Sequence, residues 1–243
     1  MANHTVIVTG GSSGIGRAIC EHYLAINYRV LNLARRPLVV ESPNLHNFSI
    51  DLSDRHATAA LARSICASYN VDTLVHNAGL IRSAPLDEVQ LDDLDYLCNV
   101  HLATGITLLQ ACLPNMKQHG YGRVVLISTR AVQGMHGRTN YAATKAAMIA
   151  QARTWAIELG GFGITVNSVA PGPIQATEMF HRVFAEGDPK IDGIGQGLPV
   201  GRVGSPDDVA RAVLFFTSAE NQFITGQNLF VCGGASLGGL SLS

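Results

Sequence analysis

Short apolar runs alternate with longer helical patterns along the whole chain. The runs are rich in β-branched residues and lie at 5–9, 29–34, 47–50, 72–76, 123–128, 164–169 and 228–231. Such runs are typical of strands buried on both faces of a parallel sheet. Helical spacing follows most of them, at about 15–23, 55–68, 91–116, 141–159 and after 205. This alternation predicts an α/β fold, a doubly wound parallel sheet of about seven strands with helices on both faces.

Glycine and polar residues follow these predicted strands directly. They are Gly10, Arg35, Asp51, Asn77, Ser128 and the pair Pro171-Gly172. In a parallel sheet the carboxyl ends of the strands meet at one edge, and ligands bind there. The sequence therefore predicts one site at that edge, within a single domain that covers residues 1–243.

The first predicted strand runs into a glycine-rich turn that leads into a helix. The turn consists of Gly10, Gly11, Ser12, Ser13, Gly14, Ile15 and Gly16. Glycines let the backbone approach a pyrophosphate, and the exposed N–H groups and dipole of a helix N-terminus favour negative charge. A glycine pattern alone is weak, but between a strand and a helix it indicates dinucleotide binding.

The end of the second predicted strand bears on the choice of cofactor. An acidic residue there would hold a ribose 2′-hydroxyl, but this chain has Ala34 followed by Arg35 and Arg36. Two guanidinium groups suit a 2′-phosphate, so we expect NADP(H) to be preferred over NAD(H). The alternative is that one or both arginines are solvated surface residues.

The stretch from Ser128 to Lys145 holds the candidate catalytic groups. Tyr141 and Lys145 are four residues apart in an alanine-rich helical pattern, so they share one helix face. A neighbouring ammonium lowers a tyrosine pKa and suits the phenol to general acid–base catalysis. Ser128, thirteen residues before Tyr141, would present its hydroxyl to a substrate oxygen. A Tyr-x-x-x-Lys pair also arises by chance, and its position after a strand end favours the functional interpretation.

Three further segments carry weaker information. Asn99 interrupts the long helical pattern at 91–116 with a polar side chain, which is either exposed or placed for a reason. Residues from about 175 to 204 have weak periodicity and many Gly and Pro, as a functional lid or substrate loop would. Ser205, with Pro206 and two acids behind it, predicts a helix start.

Composition narrows the possible partners. The chain is 47% hydrophobic and 14% charged, with a formal net charge of −1. Without a basic stripe we expect no nucleic acid and no membrane partner, but a small-molecule substrate. The five cysteines contain no CxxC and the nine histidines lack metal-ligand spacing, so we expect reduced thiols and no metal. No signal peptide or apolar run near a membrane span is evident, so a cytoplasmic protein is expected.

Taken in order, these motifs resemble those of the short-chain dehydrogenase/reductase family, including its 3-oxoacyl-ACP reductase-like members. The resemblance covers essentially the whole chain. It rests on the TGxxxGxG turn from Thr9 to Gly16, Asp51-Leu52, Asn77-Ala78-Gly79, Asn99, Ser128, Tyr141 with Lys145, and Pro171-Gly172.

The resemblance implies NAD(P)-dependent interconversion of a carbonyl and a secondary alcohol on a Rossmann-type fold. Tyr141 would give its proton to the carbonyl oxygen, and Ser128 would hold and polarise that oxygen. Lys145 would bind the nicotinamide ribose and lower the Tyr141 pKa, and Asn99 would hold a water that links Lys145 to solvent. The cofactor contacts implied are Gly10, Ser12, Ser13, Gly14, Ile15, Gly16, Arg35, Arg36, Asp51, Leu52, Asn77, Ala78, Gly79, Tyr141, Lys145, Pro171, Gly172, Ile174 and Thr177.

Three positions depart from the family pattern. His76 stands where the family often has Asn, and we expect little cost. Thr177 comes three residues after Ile174 rather than two, which affects its implied contact with the nicotinamide carboxamide. Cys232 stands where many relatives have Asp in the C-terminal tail.

Other functions compete with a carbonyl reductase. Dehydrogenases of cyclic or aromatic-pathway alcohols and diols share all these motifs. A catalytically silent dinucleotide-binding regulator could use the same fold, although the catalytic set is intact. A nucleotide-sugar epimerase or dehydratase would need an extra substrate domain, which a chain of 243 residues lacks.

Two expectations concern assembly and the active-site register. The helices near 91–116 and 141–159 are apolar around much of their circumference, and relatives pair these helices, so we expect a homotetramer. The polarising hydroxyl can belong to Ser128 or Thr129, because successive strand residues face opposite ways. The spacing to Tyr141 favours Ser128.

Overall fold

The sheet predicted from the apolar runs is present, with all seven strands parallel. The computed structural model describes residues 4–175, 180, 188 and 190–237. The strands are β1 (Thr5–Thr9), β2 (Arg29–Ala34), β3 (Leu45–Ser49), β4 (Thr73–His76), β5 (Gly122–Ile127), β6 (Ile164–Pro171) and β7 (Asn228–Val231). Their order across the sheet is β3-β2-β1-β4-β5-β6-β7. The chain reverses direction of winding beside β1, which confirms a doubly wound sheet.

Helices cover both faces of this sheet. They are α1 (Gly14–Ala25), α2 (Arg55–Ser68), α3 (Leu91–Cys98), α4 (Thr104–His119), α5 (Thr139–Leu159), α6 (Lys190–Gln196) and α7 (Pro206–Thr217). One core cluster joins α2, α4 and α5 to the sheet through residues such as Ile65, Leu108 and Met148. A second joins α1 and α7 to the opposite face, with Ile19 and Val213 fully buried.

The long helix predicted at 91–116 is divided by a π-helical turn. The turn, Asn99–Ala103, lies between α3 and α4. Such turns insert a residue into the helical hydrogen-bond ladder and often mark functional positions.

Two other helices differ from their predicted bounds. The helix α5 begins at Thr139, so Tyr141 lies in its first turn. The helix α6 lies within the segment that the sequence predicted to be a loop.

The stretch Leu91–His119 bears on the expectation that no apolar run approaches a membrane span. Among the described residues, this stretch is long and apolar enough to cross a membrane by length and composition alone, with a mean hydropathy of 1.3 in its most apolar window. By that measure the expectation does not hold. The stretch nevertheless supplies core residues, because Leu108, Cys112 and Met116 are buried against the sheet, and core helices can have the same length and composition.

The predicted start of α7 is confirmed as a capping box. The Ser205 hydroxyl accepts a hydrogen bond from the Asp208 N–H, and the Asp208 carboxylate accepts one from the Ser205 N–H at 2.8 Å. Asp208 also pairs with Arg202 and Arg211.

We expect Ser205→Ala to lower the free energy of unfolding by about 1 kcal/mol, because it leaves one N–H of α7 without its side-chain acceptor. Chemical denaturation measures the change. Ser205→Thr, which retains the hydroxyl, is the matched control and should lose much less; equal losses in both variants would mean that the cap contributes nothing.

Candidate active site

The carboxyl ends of the strands open into one cavity of about 600 Å³. This volume lies within the range that small-molecule and cofactor sites occupy. Its walls contain the glycine-rich turn after β1, the ends of β2 and β4, the segment after β5 and the first turns of α5. The residues that the sequence predicted to gather at one sheet edge are therefore together.

The glycine turn has the conformation and the close contacts that require glycine. Gly10 and Gly14 have φ of 68° and 52°, values in the left-handed region that other residues adopt at a cost. A Cβ on Gly16 would lie 2.1 Å from the Gly10 carbonyl oxygen. Ser13 caps α1 without a side-chain hydrogen bond, which leaves first-turn N–H groups facing the cavity for an anion.

Polar side chains from neighbouring strands hold this turn. The Gly11 N–H donates to Asn32 Oδ1 at 2.9 Å. The Asn77 amide donates to the carbonyl oxygens of Thr9 and Gly10, each at 3.1 Å. Asn32 belongs to β2 and Asn77 directly follows β4, so the two strands beside β1 both hold the turn.

Arg35 and Arg36 are exposed at the end of β2 and line the same cavity. Asp51 lines it after β3, where its carboxylate accepts hydrogen bonds from the Ser53 N–H and hydroxyl at 2.9 and 2.8 Å. These bonds hold the pKa of Asp51 below its ordinary value, and the Arg35 charge acts in the same direction. Leu52, Ala78 and Gly79 complete this wall.

Tyr141 and Lys145 lie one turn apart on α5, and both are buried. The Lys145 ammonium donates to the Ile127 carbonyl oxygen at 2.6 Å. Burial lowers the pKa of Lys145 to about 7. Burial raises the pKa of Tyr141 to about 12. Thr129 and Arg138 oppose this rise, whereas the lowering of the Tyr141 pKa expected from Lys145 is not found.

The two candidate hydroxyls after β5 have different partners. Ser128 Oγ donates to the Lys145 carbonyl oxygen at 2.9 Å, which uses its only hydrogen. Thr129 Oγ1 accepts from the Ala131 N–H at 3.2 Å, and the Thr129 side chain hydrogen-bonds Tyr141. The hydrogen bonds therefore favour Thr129 over the predicted Ser128, because the hydroxyl with a hydrogen to offer near Tyr141 belongs to Thr129.

Asn99 does not reach the cavity in the way the family resemblance implies. Its Oδ1 accepts a hydrogen bond from Arg55 Nε at 2.7 Å, on the exposed side of the π-helical turn. Its backbone oxygen accepts the Thr104 hydroxyl at 3.0 Å. The implied role of the Asn99 side chain in holding a water beside Lys145 is therefore corrected.

His101, from the same π-helical turn, lies beside Lys145 instead. A Cβ on Gly79 would be 3.0 Å from Lys145 Nζ and 3.1 Å from His101 Nε2, so both nitrogens approach the same glycine. His101 is fully buried, and its ring meets that of Tyr141 edge-on at 5.8 Å. Burial is the main reason that its pKa lies far below the ordinary value, so the ring is neutral.

The hydrogen bonds of His101 define its tautomer. The Thr144 hydroxyl donates to the backbone oxygens of Asn140 or Tyr141, at 3.0 and 3.1 Å. Thr144 Oγ1 therefore accepts from His101 Nδ1 at 2.9 Å. The Nε2 lone pair remains on the side of Lys145, with the Leu80 N–H as a distant donor at 3.4 Å. The signal for His101 in the sequence was a polar ring in the buried stripe of an otherwise apolar helical pattern.

The remaining predicted residues line the far wall. Pro171 ends β6, and Gly172 and Ile174 follow it at the cavity, whereas Thr177 lies outside the described residues. A Cβ on Gly172 would be 2.7 Å from the Cys232 Cα, so Cys232 supports this wall from behind.

A dinucleotide fits the groups that line the cavity. The turn offers backbone N–H groups for a pyrophosphate, and the β2 end offers guanidinium groups for a ribose phosphate. Tyr141, Thr129 and Lys145 surround the other end of the same cavity.

Comparisons with known proteins agree with this geometry. Residues 10–236 match a family-wide sequence profile described as enoyl-(acyl carrier protein) reductase. The chain is 33% identical over 245 residues to the BbsD subunit of a hydroxy(phenyl)methylsuccinyl-CoA dehydrogenase from Thauera aromatica, with 97% of each chain covered. It is 32% identical over 239 residues to a 3-oxoacyl-acyl-carrier-protein reductase, FabG, of Thermotoga maritima, covering 94% of this chain and 96% of that one.

A solved structure has nearly the same fold throughout. It is assigned as an NAD(P)-dependent gluconate 5-dehydrogenase from Beutenbergia cavernae and holds NADP at low occupancy. The TM-score is 0.89 at 33% identity, with 98% of both chains covered. The chain therefore belongs to the short-chain dehydrogenase/reductase family of oxidoreductases.

Proposed function

We propose that this protein is an NADP(H)-dependent oxidoreductase that interconverts a carbonyl and a secondary alcohol. The observation that carries the proposal is the single cavity in which the glycine-rich turn and the β2 arginines share a volume with Tyr141, Thr129 and Lys145. A cofactor held at the turn would thus reach the proton-bearing groups.

The chain's own residues bind, orient and move the proton. The bound nicotinamide supplies hydride in reduction and accepts it in oxidation. In reduction, Tyr141 gives its phenolic proton to the substrate oxygen, and in oxidation it takes that proton back. Its raised pKa of about 12 keeps the phenol protonated at neutral pH, ready to donate. Thr129 offers its O–H to the same oxygen and stabilises the negative charge that develops there.

Lys145 contributes position and charge. Its ammonium is held by the Ile127 carbonyl oxygen and lies against Gly79, within reach of a ribose bound along that wall. With a pKa of about 7, it can exchange a proton near neutral pH. The neutral Nε2 of His101, on the same side, is an acceptor for such a proton path.

We expect Tyr141→Phe to lower kcat by a factor of about 10²–10⁴, since general acid catalysis is lost. Thr129→Val should lower kcat by a factor of about 10²–10³, since a hydrogen-bond donor to the developing oxyanion is lost. Ser128→Ala should keep most of its turnover and instead lose about 1 kcal/mol of stability, because its hydroxyl holds the Lys145 carbonyl. Steady-state kinetics and denaturation measure the two effects.

Thr129→Ser is the control for this series, because it keeps the hydroxyl and removes only a methyl group. A Ser128→Ala variant without turnover beside a fully active Thr129→Val variant would return the polarising role to Ser128. Near wild-type turnover of Tyr141→Phe would remove Tyr141 from the mechanism.

The cofactor proposal rests on the end of β2. Arg35 and Arg36 line the cavity where a 2′-phosphate would lie, and no acidic residue follows Ala34 directly to hold a 2′-hydroxyl. Support comes from the similar structure, which holds NADP.

Wild-type protein should bind NADPH about ten- to a hundredfold more tightly than NADH, the contribution of a charge-assisted bond to phosphate. Titration of each cofactor by fluorescence tests this. Arg35→Ala with Arg36→Ala should remove the difference without weakening NADH, whereas the exposed Arg63→Ala should change neither. Equal or tighter NADH binding by the wild type would contradict the proposal.

Two substrate classes are supported by similarity. The likeness to a 3-oxoacyl-acyl-carrier-protein reductase supports 3-oxoacyl thioesters, and the likeness to BbsD, a subunit of a hydroxy(phenyl)methylsuccinyl-CoA dehydrogenase, supports an alcohol that carries a phenyl ring. A screen of NADPH consumption with ketones and 3-oxoacyl thioesters, and of NADP⁺ reduction with cyclic diols, separates them. A catalytically silent regulator would bind NADPH and turn over none of these substrates.

We also propose a homotetramer assembled through α3, α4 and α5, acting in the cytoplasm. Ile106 on α4 and Ile157 on α5 expose 39% and 85% of their surface, which is unfavourable for apolar side chains in water. Symmetric pairing of these helices would cover them.

Light scattering at micromolar concentration should give a mass about four times 25.8 kDa, the mass of one chain. Ile157→Glu should shift the mass downward, and Ile26→Glu, an exposed position at the end of α1, should not. A stable monomer of the wild type would refute the assembly.

A further inference from the structure

The cavity contains a second pair of arginines, far from the cofactor arginines. Arg130 follows β5 and Arg138 precedes α5, and both line the cavity beside Thr129 and Tyr141. Arg35 and Arg36 follow β2, which is separated from β5 by β1 and β4. Neighbouring strands are about 4.8 Å apart, so the two pairs are roughly 14 Å apart across the sheet. One phosphate cannot serve both.

Neither arginine of this second pair has an acidic partner among the described residues. Arg130 Nη1 donates to the Ala235 carbonyl oxygen at 3.5 Å, and Arg138 Nη1 to that of Gly137 at 3.4 Å. Both bonds are long and have neutral acceptors. A guanidinium has five N–H donors, so most of them are available to a ligand. Both side chains are half-buried, where a charge without a partner is unfavourable.

The charge balance of the cavity is uneven. Asp51 is the one acidic residue among the described residues that line it, and it lies at the cofactor end, after β3. Arg130, Arg138 and Lys145 all line the other end. No acidic residue among the described residues that line the reaction end balances the charges of Arg130 and Arg138, so this end favours an anionic ligand.

Arg138 is close enough to the reacting group to affect it. Its charge opposes the rise in the Tyr141 pKa that burial causes. The Arg138 backbone is fixed on both sides, because its carbonyl accepts the Ala142 N–H at 2.7 Å and its main chain bridges to Ala84. An anion bound to this guanidinium would thus lie near the oxygen that Tyr141 protonates.

The rest of this end is apolar. Met135, Phe180, Ile194 and Leu198 line it. Such a wall suits the carbon skeleton of a substrate, while the two guanidinium groups suit a planar anionic group that accepts two parallel hydrogen bonds.

We propose that Arg130 and Arg138 bind an anionic group of the substrate, so that the substrate carries a carboxylate or a phosphate in addition to the reacting carbonyl. The inference rests on the proposed function and deepens it by naming the substrate class. Arg138 is the principal contact, because it is the arginine that acts on Tyr141, and Arg130 extends the site toward the β7 side.

The experiment compares charged and neutral forms of the same carbonyl. Aliphatic and aromatic oxo acids are offered with NADPH as free acids and as methyl esters, and the matching oxoacyl chains as coenzyme A thioesters and as N-acetylcysteamine thioesters. The first pair reports a carboxylate, and the second reports the phosphates of the carrier. The variants are Arg138→Gln, Arg130→Gln and, as a control outside the cavity, Arg63→Gln.

In one of the two substrate pairs, we expect wild-type kcat/KM to be about ten- to a hundredfold higher for the anionic form than for the neutral form. A charge-assisted hydrogen bond contributes a difference of this magnitude. Arg138→Gln should remove that preference by lowering kcat/KM for the anionic form alone, and Arg130→Gln should reduce it partly. Arg63→Gln should leave it unchanged. Loss confined to the free acids identifies a carboxylate, and loss confined to coenzyme A thioesters identifies a phosphate.

The neutral substrates distinguish a failure of the anion site from a failure of the proposed function. Equal kcat/KM for charged and neutral forms, or a preference that survives Arg138→Gln, would overturn the anion site while turnover itself supports the oxidoreductase. Absence of turnover of every carbonyl would contradict the proposed function. Protection of the NADPH-bound enzyme against thermal unfolding by an oxo acid, lost in Arg138→Gln, gives a second readout independent of catalysis.

Discussion

The hydrogen bonds around Thr9 and His76 connect the parts of the molecule on which the active site depends. Thr9 Oγ1 accepts the N–H groups of Asn77 and Ala78 at 3.0 and 2.9 Å, so its hydroxyl hydrogen goes to His76 Nδ1 at 2.9 Å. His76 Nε2 then donates to the carbonyl oxygens of Val100 and His101, at 3.1 and 3.0 Å. The neutral ring of His76, at the end of β4, thus joins the end of β1 to the π-helical turn. Burial, the largest cause, lowers the pKa of His76 to about 4, which keeps it in the state that this geometry needs.

Burial has opposite consequences for the pKa values of Tyr141 and Lys145, the two groups that we propose to move protons. It disfavours charge on both, so the pKa of Tyr141 rises to about 12 and that of Lys145 falls to about 7. An anionic substrate and a bound dinucleotide would both change this balance, because each brings charge into the cavity that these groups line. The proposed binding of an anion by Arg138, beside Tyr141, would therefore affect the chemistry as well as the binding. Because Arg138 favours the phenolate, an anion that neutralises it would favour the protonated phenol that reduction requires.

Much of the fold could be predicted from the sequence, because buried parallel strands have a strong local signature. All seven strands and the capped start of α7 were predicted within a few residues of their observed bounds. The glycine turn was equally clear, since positive φ at Gly10 and Gly14 and the close contact at Gly16 leave no other residue type suitable. The Tyr141–Lys145 pair follows from helix periodicity alone.

The roles of individual polar side chains depended on tertiary structure. Spacing along the chain could not distinguish Ser128 from Thr129, because the difference is the acceptor to which each hydroxyl donates its hydrogen. The acceptor for Ser128 is the backbone oxygen of Lys145, which belongs to another element, α5. The Asn99 side chain was misplaced and His101 missed because a π-helical turn rotates the following residues relative to an ordinary helix. The pKa shifts likewise come from burial among elements distant in sequence. The sequence by itself determined the sheet, the glycine turn and the pairing of Tyr141 with Lys145 on one helix face, since each reflects a local pattern. Only the packing of those elements decided which hydroxyl hydrogen remains near Tyr141, which imidazole lies beside Lys145 and which arginines line the cavity, since hydrogen-bond direction and burial exist only in three dimensions.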